Sequence, residues 1–159
     1  MLLNEIINTR SNTINYDTFS NKSYFEVHSV IDDVPYVFIA RQMMNLTDRH
    51  LYWTIAFGVN TFEYRDGYDC FDMEFDIDIV PTGKGNSVKI MTWVEHCFDL
   101  FVQQYDDSVQ RITFSANINE RSRVRLYDRF IPVLKKKGWI LQDKRIGPGF
   151  VEYMYERIK

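Results

Sequence analysis

Cysteine is scarce in this chain: Cys70 and Cys97 are the two in 159 residues, with no CxxC pair and no histidines placed to join them. That excludes the usual zinc motifs and signals no disulfide framework, so both thiols are expected to be free and buried. His28, His50 and His96 are scattered without ligand spacing, so no metal site is expected and no Ser-His-Asp arrangement is readable. No apolar run approaches the roughly 20 residues that cross a bilayer. The opening MLLNEIINTR has neither a basic leader nor a small-residue cleavage site. The expectation is a cytoplasmic protein with no membrane attachment. Internal repeats, low-complexity tracts and dividing linkers are also missing, which points to one domain over 1–159, with 1–22 as a loosely structured leading segment.

What the chain has in quantity is apolar surface. Hydrophobic residues make up 45% and aromatics 16%, which excludes intrinsic disorder and predicts a core rich in rings. The net charge of −3 conceals an asymmetry. Residues 1–110 carry 7 basic and 17 acidic side chains, whereas 111–159 carry 12 and 5. Such a division either steers charged ligands to opposite faces or reflects two solvated surfaces that attract one another.

The leading segment mixes Leu2, Leu3, Ile6 and Ile7 with the aperiodic run TRSNTINYDTFSNKS, read as a short helix and a loop. YFEVHSVI and PYVFIARQM about Asp32-Asp33 predict a hairpin. HLYWTIAFGVN places Leu51, Trp53, Ile55, Phe57 and Val59 on one side of a strand. In CFDMEFDIDIV strict alternation predicts another strand, with Asp72, Glu74, Asp76 and Asp78 on its polar face. After Pro81 and TGKGN the period changes to that of a helix, through Ile90, Met91, Val94, Cys97, Phe98, Phe101 and Val102. QRITFSA follows as a strand. Asn117 and Glu120 have the form of a capping box opening a helix with Val124, Tyr127, Ile131 and Leu134 on its apolar stripe. Pro132 should kink that helix or start its last turn anew, and Lys135, Lys136, Lys137 and Gly138 suit its end. WILQDKR and FVEYMYERI then form a closing hairpin about Ile146-Gly147-Pro148-Gly149.

Two segments carry chemistry. In VPTGKGNS, Val80 to Ser87, glycines between a strand and a helix leave backbone N–H groups open to a pyrophosphate; a plain strand-to-helix turn needs the same glycines. In NINERSRVRLYDRFIPVLKKKGW, Leu126-Tyr127 and Gly138-Trp139 stand out. With the order of elements, these two segments resemble the GNAT N-acetyltransferases. The first resembles their acyl-CoA loop, with Gly85 and Ser87 fitting, Thr82 standing where Arg or Gln is usual, and Ser87 in the place of a final Gly. The second resembles their Asn-x-x-Ala-x-x-Leu-Tyr-x-x-x-Gly-Phe region, with Arg123 in the Ala place, Glu120 in the Asn place and extra residues before Gly138. The Ser122-Arg123-x-x-Leu126-Tyr127 and Thr82-Gly83-x-Gly85 features are also similar to those of GNAT-like proteins carried by tailed bacteriophages.

The resemblance implies an α/β (α+β) fold, a mixed, mostly antiparallel sheet with flanking helices. It implies acetyl-CoA as co-substrate, held at Val80, Gly83, Lys84, Gly85, Asn86 and Ser87. It also implies Tyr127 as the acid that protonates the departing thiolate, although Tyr127 equally fits as a packed stripe residue. An amine must lose a proton to attack, and the acidic strand supplies candidate bases, Glu74 and Asp76; the same alternation also describes a solvated strand face. The acceptor would be an unspecified amine. Arg121, Arg123, Arg125 and Arg129 with Lys135, Lys136 and Lys137 supply a second reading: the same fold without catalysis, binding a host or virion protein, or nucleic acid through the basic helix at 121–137, in a host cytoplasm if phage-encoded.

Overall fold

Residues 14–59 and 86–158 are described by a computed structural model. The expected acidic strand and the glycine loop as far as Gly85 lie outside them, as does Cys70. The chain divides into two compact units, whose described parts are 14–39 with 57–59, and 40–56 with 86–158.

In the first unit, β2 (Tyr24–Ile31) and the start of β3 (Val34–Met44) form the expected hairpin. Asp32 and Asp33 sit at φ 50° and 65°. That is the left-handed pair a two-residue turn needs to match strand twist. Tyr24 to Val27 and Tyr36 to Ala40 are continuously buried, so both strands are covered on both faces. β1 (Asp17–Ser20) pairs antiparallel with β2, with Asp17 opposite His28. This strand falls where the sequence suggested helix and loop. All four of its residues are exposed, so no buried face imposes an alternation that could be read.

In the second unit, β4 (Leu51–Val59, the last three residues counted with the first unit) buries Trp53 and Ile55, as its alternation predicts. It leads through residues 60–85 to α1 (Asn86–Tyr105), then to a single 3-10 turn (Asp106–Ser108) and β5 (Arg111–Asn117). Then come α2 (Arg121–Lys136), β6 (Trp139–Gly147) and β7 (Phe150–Arg157). The strand order is β1-β2-β3-β4-β5-β7-β6. β4 and β5 are parallel; β5–β7 and β7–β6 are antiparallel. The sheet is therefore mixed and mostly antiparallel, with helices packed on it, as the GNAT-like order implied.

The pairing Trp53↔Ile112 and Ile55↔Phe114 puts Trp53, Ile112 and Phe114 on one sheet face. α1 lays Phe101 and Tyr105 on Trp53, with ring centroids 5.0 and 4.6 Å away, and Phe98 on Trp139 at 5.8 Å. α2 lays Tyr127 and Phe130 on Phe114 at 5.4 and 6.4 Å. Cys97 is a free buried thiol whose pKa burial raises.

Two local expectations change. The Glu120 carboxylate does accept from the Asn117 N–H at 2.9 Å, but the Asn117 side chain turns to the Asn119 N–H at 3.0 Å. Asn117–Glu120 is thus a turn, closed by Glu120 N–H to Asn117 C=O at 2.9 Å, and the helix begins at Arg121. Its buried line is Arg123, Leu126, Tyr127, Phe130 and Leu134, with Val124 and Ile131 at the margin. Pro132 lies inside the helix, which continues to Lys136. Gly138 at φ 93° ends it, with its N–H on Lys135 C=O at 3.1 Å. Among the described residues no helix is long and apolar enough to cross a membrane.

Candidate functional site

The crossover between parallel strands β4 and β5 contains the segment read as an acyl-CoA loop. Glu74, Asp76, Val80, Gly83, Lys84 and Gly85 lie outside the described residues. Asn86 and Ser87 are the first two residues of α1. This helix is 20 residues long with no acidic residue in its first turn, so no carboxylate of that turn offsets the partial positive charge of its N-terminus. The β4–β5 ladder covers three pairs, Trp53–Ile55 against Ile112–Phe114. β5 continues through Ser115, Ala116 and Asn117, held on its other side by β7.

Tyr127 reaches this stretch of β5. It is 1% exposed, and its hydroxyl donates to the Ser115 carbonyl at 3.3 Å. Phe114 and Tyr153 enclose its ring, with centroids 5.4 and 5.6 Å away. Burial pushes its pKa above the usual tyrosine value; the Arg123 charge opposes this and Glu120 adds to it. Tyr127 therefore holds its proton at neutral pH.

α2 separates its cations by face. Arg123 turns inward, 5% exposed, and pairs with Glu120 at 3.2 Å. Lys137 pairs with Asp99 at 2.9 Å and Glu95 at 3.1 Å on α1. Arg121, Arg125, Arg129, Lys135 and Lys136 are exposed. Asp128, the acid on this helix, accepts from Tyr153 Oη at 2.6 Å and from Lys144 Nζ at 3.0 Å.

The first unit holds a polar cluster that sequence reading missed. Glu26 is 1% exposed, its Oε2 lies 2.9 Å from His28 Nε2, and the Tyr24 hydroxyl donates to it at 3.5 Å. His28 lines a half-open cavity of about 160 Å³ with Asn15, Asp17, Ser29 and Tyr36. A carboxylate on Nε2 orients the imidazole, an arrangement suited to moving a proton. The available signal was the spacing of Tyr24, Glu26 and His28, which a strand puts on one face. His50 lies 3.8 Å from Asp48 and is exposed. Among the described residues no group of three or more His, Cys, Asp or Glu could hold a metal ion.

No family model and no curated protein matches the sequence. Among solved structures, the chain is similar to the acetyltransferase of GNAT family from Streptococcus pneumoniae. The two are 8% identical with a TM-score of 0.42, over 98% of this chain and 74% of that one. At that level the fold assignment rests on the strand order and the parallel β4–β5 pair.

Proposed function

We propose that the protein is an acyl-CoA-dependent N-acyltransferase of the GNAT type, acting on an amine in the cytoplasm. The observation that carries this reading is the start of a 20-residue helix at Asn86, directly after Val80–Gly85 and between two parallel strands. Backbone N–H groups from Gly83 to Ser87, with Val80 and the Lys84 charge, would hold the pyrophosphate of acetyl-CoA. Bound acetyl-CoA supplies an activated thioester carbonyl. Glu74 or Asp76 would take the proton that the attacking amine loses. Tyr127 serves the departing sulfur. With its pKa raised by burial it acts mainly as a hydrogen-bond donor to the developing negative charge.

A second reading keeps the fold without catalysis, as a binding module. It is favoured by the seat of Tyr127, whose hydroxyl already rests on the Ser115 carbonyl in a 1% exposed position.

Release of free CoA thiol from acetyl-CoA, followed with a panel of small primary amines, separates the two. Amine-dependent release by the wild type, falling about 100-fold in Tyr127→Phe, is the expected result. No release above the blank with any amine would leave the second reading.

A further inference from the structure

The outer face of α2 carries more positive charge than the fold uses. Arg121, Arg125 and Arg129 recur every fourth residue, and at about 100° per residue they lie with Lys136 inside a sector of roughly 80°, with Lys135 beside it. The row is about 22 Å long at 1.5 Å rise per residue. All five side chains are exposed, and among the described residues none of them has a carboxylate partner. The acids nearest in sequence are already engaged. Glu120 pairs with Arg123, and Asp128 is held by Lys144 and Tyr153. Arg123 and Lys137, the two remaining cations of the segment, turn to structural pairs. The sequence alone left this undecided, because Arg123 and Arg125 point to different sides of a helix.

We propose that this row binds the phosphate backbone of a nucleic-acid duplex. A protein partner would need an apolar centre to its interface. No large hydrophobic residue is exposed between Ile118 and Ile140, and the rings of Tyr127 and Phe130 face the sheet. A single strand is ordinarily gripped by exposed aromatic platforms, which this face also lacks. What it offers is regularly spaced cations along one helix face, three of them arginines, whose planar guanidinium groups match phosphate oxygens. The proposal does not rest on acyl transfer and involves no acyl-CoA.

The test is fluorescence anisotropy of a labelled 20-base-pair DNA duplex, with a 20-nucleotide single strand and poly-glutamate as competitors. The duplex binds with micromolar affinity at 50 mM NaCl, and the slope of log K against log salt approaches about −4.5 if all five cations touch phosphates. Arg125→Glu/Arg129→Glu weakens binding at least tenfold and flattens the slope. Circular dichroism of this variant matches the wild type, since both side chains are exposed. Lys22→Glu, an equal charge change per site on the other unit, weakens binding less than threefold. No binding at 100 μM protein, a double variant that binds as the wild type does, or better competition by the single strand or poly-glutamate than by unlabelled duplex would each overturn the proposal.

Discussion

Asp128 shows how one side chain links helix, strand and solution conditions. Partial burial raises its carboxyl pKa, but the Tyr153 hydroxyl at 2.6 Å and the Lys144 ammonium at 3.0 Å outweigh this and hold it below the ordinary 3.8. Because the folded value is the lower one, the unfolded chain takes up the proton first as pH falls. The stabilisation is therefore complete above 3.8 and lost as the pH drops through the depressed folded value. Asp128→Asn should cost about 1 kcal/mol at pH 7, an amount kept small because exposed charges are screened. The Tyr153 hydroxyl keeps a carbonyl, Val124 C=O, at 3.3 Å. Urea denaturation of both proteins from pH 7 to pH 3 should show the two stabilities converging on the acid side. A gap that widened in acid would contradict this pairing.

At the scale of elements, Lys137 ties the end of α2 to α1 through Asp99 and Glu95. Burial pulls its ammonium pKa down, yet the two carboxylates prevail and raise it, so the charge persists across the neutral range. Lys137→Met should lower stability by about 0.5–1 kcal/mol, less in 1 M salt than at low salt, in thermal denaturation followed by circular dichroism. No salt dependence of that difference would mean that packing of the lysine stem matters more than its charge. Elements with one buried face were legible in sequence. β4 announced itself through Trp53 and Ile55, and α1 through Val94, Cys97, Phe98 and Phe101, because burial imposes the period. β1 was not legible, being exposed at all four residues, and the start of α2 was displaced because Asn117 used its side chain within a turn. Glu26 was hidden for the opposite reason. Its carboxylate is buried with Tyr24 and His28, and no period in hydropathy reports a polar group inside.

At the scale of the molecule, the excess of positive charge in 111–159 resolves into paired cations that hold the unit together and a row on α2 without carboxylate partners among the described residues. Sequence showed the excess; the fold shows Arg123 buried on Glu120 while Arg121, Arg125 and Arg129 stay exposed. From β2 onward the described elements follow the order read from the chain, with the expected acidic strand outside the described residues. Of the proposed pyrophosphate-binding residues, Asn86 and Ser87 have a described position, at the head of α1. Whether the segment that ends there binds acyl-CoA decides between an acyltransferase and a binding module. Isothermal calorimetry with acetyl-CoA, wild type beside Gly85→Trp, tests it most directly. Saturable binding by the wild type at stoichiometry near one, lost in Gly85→Trp while that variant keeps the wild-type circular dichroism spectrum, is the predicted result. No heat of binding at millimolar acetyl-CoA from folded wild-type protein would contradict it.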